Sequence, residues 1–245
     1  MTSTAETRAI RRSRTTTFVG LPSYDDMVAR LTDLIDAAPS SVWSAGLAWY
    51  PSFAAIADIL AERHGVSFEA AAAALAILSP RCAVATSVFT ADAVLGAYTT
   101  GGPDAALQVQ GVLPANVQRT VDWLEGDRHA TDQDTGTTLT RSRKVRSFFA
   151  NILGDDEPVT VDVWATRAVG ATVEQPEGGA YVTIAEAYRE VADHFGITPR
   201  EAQAIAWVAT RTDIDAEAEL FTISQLVRNT PRPVATTEPA FETVI

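Results

Sequence analysis

The stretch RSRKVRSFFANILGDDEPVTVDVWATRAVG, residues 141–170, decides how this chain folds. Its first part predicts a helix over 143–153 that ends at Gly154, because Val145, Phe148, Phe149 and Ile152 recur at helical spacing and form one apolar stripe. Lys144, Ser147 and Asn151 share a different face, so Lys144 is free to point away from the core. After Gly154 comes a short segment in which Val159 and Val161 read as buried. Asp162 then stands where a helix N-cap belongs, before VWATRAVGA at 163–171. A carboxylate at that place accepts backbone N–H bonds and faces the positive end of the helix.

Outward from this stretch the chain continues to read as helices. Ser23 precedes YDDMVARLTDLIDA with Asp26 at the third helical position. Thr183 precedes IAEAYREVADHF with Glu186 there, and Thr198, Pro199 and Glu201 open PREAQAIAWVATR. Further helices are expected over 50–64, 67–79, 82–98, 114–125 and 163–171, with Gly65, Gly126, Gly154 and Gly196 as breaks. No segment alternates as a strand would. The expected architecture is all-α, with one core or two closely joined helical lobes over residues 23–228. Residues 1–22 read as a flexible basic arm and 229–245 as a flexible tail.

Composition narrows the function classes. Cys82 is the single cysteine, which excludes an intrachain disulfide, a four-cysteine zinc site and a four-cysteine iron–sulfur cluster. His64, His129 and His194 stand too far apart for short metal-ligand spacings, so neither metal nor cofactor is expected. No apolar run is long enough to span a bilayer and the Arg-rich start lacks a signal-peptide core, so the sequence points to the cytoplasm and away from membranes. The net charge of −12 disfavours a nonspecific polyanion binder. Basic residues nevertheless crowd together at Arg8, Arg11, Arg12 and Arg14, and again at Arg141, Arg143, Lys144 and Arg146. Of the 19 basic residues Lys144 is the one lysine, and a chain that otherwise uses arginine throughout invites a chemical reason for it.

With these residues in view, the 141–170 stretch resembles the helix-hairpin-helix DNA glycosylases related to endonuclease III. In that superfamily a hairpin leads into a helix carrying the lyase lysine, and a short apolar segment leads to the catalytic aspartate within a Val-Asp pattern followed by an arginine. Val161, Asp162 and Arg167 match that pattern, and Lys144 precedes Asp162 by the 18 residues expected in the endonuclease III branch. More loosely, WYPSFAAIADILAERHGVSFEAAAAALAILSP looks like the family's opening helical core. TIAEAYREVADHFGITPREAQAIAWVATR is similar to phage-encoded relatives proposed to act on hypermodified thymines. The chain departs from the family where Thr140 and Ser142 replace the glycines of the hairpin turn, and where Trp164 replaces a histidine two residues after the aspartate.

The resemblance implies an enzyme acting on a flipped base in DNA by N-glycosidic chemistry. Asp162 would stabilise the positive charge that develops on the deoxyribose, and Lys144 would attack the anomeric carbon to give a Schiff base and lyase cleavage. Lys144 must be neutral to attack, so its pKa has to fall from about 10.4, a shift that Arg141, Arg143 and Arg146 would favour. These three arginines and Arg167 are the expected DNA contacts. Trp49, Tyr50, Trp123 and Trp164 are the candidate walls of a base pocket. Each residue also has a plainer reading: Asp162 as an N-cap alone, Lys144 as a phosphate contact, the aromatics as core. Two other functions share the scaffold, a phage DNA hypermodification enzyme or transferase acting on modified thymine and a noncatalytic DNA-binding or inhibitory protein.

Overall fold

The computed structural model describes residues 17–126, 142–174 and 176–211, together with 225, 228 and 229. All regular structure among the described residues is helical: α1 (Tyr24–Asp36), α2 (Ser40–His64), α3 (Phe68–Leu78), α4 (Val84–Ala106), α5 (Pro114–Leu124), α6 (Arg143–Ile152), α7 (Val163–Ala168), α8 (Gly178–Phe195) and α9 (Pro199–Thr210). Residues 1–16 of the expected arm, 230–245 of the expected tail, the hairpin position Thr140 and the candidate DNA contact Arg141 lie outside the described residues. Residues 17–22, expected to belong to the flexible arm, are instead tied to the fold, with the Gly20 carbonyl accepting from Thr172 N at 2.8 Å and Leu21 packed on the second apolar cluster.

Two apolar clusters organise the helices. The first is built around α3, whose run from Ala70 to Leu78 is buried on every side, as expected of a helix with no polar face. Around it pack α2, α4, α5 and α6, contributing Phe53, Leu95, Val121 and Phe148 among others. The second cluster joins α1, α7 and α8 through Met27, Leu31, Val161, Ala165, Tyr188 and Val191. α9 belongs to both: Ala204, Trp207 and Val208 enter the first cluster, while Ala202, Ile205 and Ala206 enter the second.

The seam between the clusters is the contact of α2 with α9. A Cβ placed on Gly46 would lie 2.6 Å from Ile205 Cα and 2.8 Å from Ile205 N, so only glycine lets the two backbones approach this closely.

Local signals explain most helix starts. Ser23 Oγ accepts from Asp26 N at 3.1 Å, and Thr198 with Glu201 forms a complete capping box. Thr183 does not start a helix as the sequence suggested: α8 begins five residues earlier, at Gly178, and Thr183 Oγ1 donates to the Gly179 carbonyl at 3.0 Å inside it. Tertiary packing overrides the poor helix propensity of the two glycines, because a Cβ on Gly179 would stand 2.5 Å from Phe18 Cζ. The helix expected over 50–64 starts at Ser40 and carries Pro51 within it. The one expected over 82–98 runs to Ala106 across a break at Gly102, whose φ of 79° is left-handed.

Gly46→Ala is expected to cost about 1–3 kcal/mol, the usual penalty for forcing extra volume into a packed contact. Urea unfolding followed by circular dichroism would show the transition at lower denaturant with an unchanged slope.

Candidate functional site

A cleft of about 1590 Å³ opens between α2, the α3–α4 loop, α5, α6, the segment 160–164 and the end of α9. It exceeds the roughly 300–1,000 Å³ of ordinary small-molecule pockets, leaving room for a nucleotide with its sugar and phosphates. Lys144 and Asp162 both line it, as do Arg143, Arg167, Trp49, Tyr50, Trp123 and Trp164. Arg146 does not, although it shares α6 with Lys144.

Lys144 reaches the cleft from the first turn of α6. Its Nζ donates to Ser79 Oγ at 3.3 Å, and Ser79 Oγ in turn donates to the Ala76 carbonyl at 2.9 Å. The serine's proton is thus committed elsewhere and a lone pair is left for the lysine. Burial pushes the Lys144 pKa below its ordinary value, and the charges of Asp162 and Cys82 oppose that shift without cancelling it. The cause is therefore burial rather than the neighbouring arginines to which the sequence pointed.

Asp162 is held at both oxygens. Oδ1 accepts from Trp164 N at 3.0 Å and Ala165 N at 2.8 Å, which is the N-cap geometry expected from sequence. Oδ2 accepts from Trp207 Nε1 at 3.1 Å, a contact from α9 that is 45 residues distant in the chain. The cap satisfies one oxygen; the indole fixes the rotamer of the other. One lone pair on Oδ2 stays available for a further donor.

The segment carrying Asp162 has no regular structure and is pinned by buried side chains. Asn151 Nδ2 donates to the Asp155 and Pro158 carbonyls at 2.9 and 2.8 Å, and its Oδ1 accepts from Thr160 Oγ1 at 2.9 Å. Tyr181 donates to the Val159 carbonyl at 2.7 Å and accepts from Val161 N at 3.2 Å. Arg200 pairs with Asp156 at 2.7 Å and donates to the Asn151 carbonyl at 3.0 Å. Tyr188 donates to the Ala165 carbonyl at 3.1 Å. Burial raises the phenol pKa of Tyr181, as it does that of Tyr188, so both keep their protons and act as donors.

The four aromatic candidates differ in role. Trp49 and Tyr50 are core residues with an edge on the cleft: Trp49 packs on Trp207 at 4.4 Å between ring centroids, and the Tyr50 hydroxyl donates to Gln203 Oε1. Trp123 is part-buried against Phe149. Two guanidinium groups lie over the Trp164 ring, Arg167 at 4.6 Å and Arg211 at 5.0 Å, and Arg211 also covers Trp207 at 5.0 Å. Arg167 stays about half exposed, 3.9 Å from Glu174, and Arg143 donates to the Gly178 carbonyl at 3.3 Å.

Sequence reading did not single out Trp207, Ser79, Arg211 or Tyr181. Each meets Lys144, Asp162 or its segment across a long-range contact, and no local pattern marks it. The charge around the cleft is a second surprise. Arg81, Arg119, Arg143, Lys144, Arg167 and Arg211 line it against Asp122, Asp162, Glu174 and Glu177, a cationic excess within a chain of net charge −12. Among the described residues no three His, Cys, Asp or Glu side chains converge to hold a metal ion, and no helix is long and apolar enough to cross a membrane.

The model of a family of unknown function, DUF7178, matches residues 19–214. No curated protein and no solved structure matches the chain.

Because Lys144 is the one lysine, reductive methylation with ¹³C-formaldehyde labels a single side-chain amine beside the N-terminus. Its NMR titration is expected to fall below the ordinary value of about 10.4. In Asp162→Asn it should fall further, since the Asp162 charge raises the Lys144 pKa.

Proposed function

The chain belongs to the DUF7178 family, a family of unknown function, so its chemistry has to be read from the cleft; we propose that it is a DNA-base-processing enzyme acting on the N-glycosidic bond of an extruded base. One observation carries the reading. A lysine whose pKa is depressed by burial and a carboxylate held at both oxygens share a cleft whose lining is cationic, in a protein that is otherwise acidic. That combination suits a polyanionic substrate with a bond whose rupture builds positive charge.

The steps follow from the groups. A base swung out of the stack enters the cleft against Trp49, Tyr50, Trp123 and Trp164, while Arg143 and Arg167 meet phosphates at the rim. As the bond from C1′ to the base nitrogen lengthens, the ring oxygen shares the positive charge and Asp162 stabilises it. The neutral amine of Lys144 donates its lone pair to C1′. The base leaves with the bonding electrons and takes up a proton, and the amine loses one to the remaining lone pair of Asp162 Oδ2 or to water. Ring opening then gives a Schiff base, from which elimination of the 3′ phosphate cleaves the strand. The resemblance of residues 141–170 to the endonuclease III branch supports the same roles for Lys144 and Asp162.

Mass spectrometry of oligonucleotides bearing normal, damaged and hypermodified bases, after incubation with the protein, identifies the substrate and separates base release from group transfer. On that substrate borohydride should trap a covalent protein–DNA adduct that Lys144→Arg loses, and the rising limb of the pH–rate profile should lie below pH 10.4, about the pKa of an ordinary lysine. Asp162→Asn should lower turnover by about a hundredfold to a thousandfold, the loss of about 3–4 kcal/mol of electrostatic stabilisation. Asn caps a helix nearly as well as Asp, so the fold should survive. Wild-type turnover in Asp162→Asn would reduce the carboxylate to a cap and end the assignment.

A further inference from the structure

Asn116, on α5, lines the cleft and is 3% exposed. Its Oδ1 accepts from Arg119 Nη1 at 3.0 Å, which fixes the orientation of the amide, since the reverse orientation would set two donors against each other. Nδ2 is then a buried donor with no acceptor among the described residues. Among the described residues, Asp156 Oδ1 is the other buried side-chain atom lacking an ideal hydrogen bond, but it lies 2.7 Å from Arg200 Nε and is neutralised there. Asn116 therefore stands apart. A buried N–H left unmade carries a desolvation penalty of about 1–3 kcal/mol, and a wall of the candidate site is where that penalty has a use.

We propose that Asn116 Nδ2 is a specificity donor of the cleft, taking a carbonyl oxygen on the edge of the bound base and so favouring keto-bearing bases over adenine. This rests on the base-processing reading and adds the class of base to it. The chemistry is direct. Thymine, guanine and cytosine each present a carbonyl oxygen, whereas adenine presents only ring nitrogens and an amino group. An amino group facing Nδ2 would set donor against donor. Arg119, by holding Oδ1, keeps the amide from turning to accommodate it.

The probes are short single strands of tetrahydrofuran spacers carrying one central thymine or one central adenine, so that phosphates are equal and the larger stacking surface of adenine works against the expected preference. Quenching of tryptophan fluorescence should show the thymine strand bound about tenfold more tightly by the wild-type protein, the size of one hydrogen bond worth about 1.4 kcal/mol. Asn116→Asp keeps an acceptor for Arg119 and removes the donor, so the preference should collapse to near unity. Asn116→Leu should melt within a few degrees of the wild-type temperature, because relief from the unpaired Nδ2 offsets the loss of the Arg119 bond to Oδ1. A thymine preference that persists in Asn116→Asp, or a fall of several degrees in the melting temperature of Asn116→Leu, overturns the assignment of Asn116 alone. Failure of the wild-type protein to bind either strand overturns the base-processing reading and this inference with it.

Discussion

The close approach of α2 and α9 at Gly46 and Ile205 is the constraint from which the site follows. With the two backbones nearly touching, Trp49 of α2 and Trp207 of α9 are brought to a centroid separation of 4.4 Å. That contact aims the Trp207 indole N–H at Asp162 Oδ2, and Arg211 lies over the same ring. A larger residue at position 46 would part the helices and withdraw the indole from the carboxylate. The orientation of a short cap residue is therefore set by a glycine more than a hundred residues earlier.

Two kinds of support hold Lys144 and Asp162, and they differ in cost. Asp162 sits on an irregular segment whose exposed backbone groups are met by Asn151, Tyr181, Tyr188 and Arg200, so its place is fixed without a strand or long helix. Lys144 is supported by burial and a single hydroxyl. Removing an amine from water without a full complement of partners disfavours its charged form, which lowers the Lys144 pKa from its ordinary value. Asn116 carries a cost of the same kind, because its buried Nδ2 is a donor without an acceptor among the described residues.

Much of the fold was legible because its signals are local. The caps at Ser23 and Thr198 and the stripe of Val145, Phe148, Phe149 and Ile152 appear in the structure as read. Thr183 misled because a cap motif can occur within a helix once packing against Phe18 and the second core draws the preceding Gly-Gly into the first turn. Residue type and spacing drew attention to Lys144 and Asp162, and both line the cleft. Their hydrogen-bond partners were not legible, since Ser79 lies 65 residues before the lysine and Trp207 45 residues after the aspartate. The attribution of the lysine's shift to nearby arginines failed for a related reason. Sequence shows charge neighbours along the chain, but burial is a property of the assembled cleft.

The double membership of α9 bears on how the molecule comes apart. Its residues alternate between the two apolar clusters, Ala204, Trp207 and Val208 on one side, Ala202, Ile205 and Ala206 on the other. Neither cluster can lose its contacts with this helix without stripping the other of a wall. The two lobes are thereby bound into one cooperative unit, in which slowly exchanging amides would be shared across the seam rather than confined to one half. The cleft accordingly opens along a boundary that is a boundary in shape but not in folding.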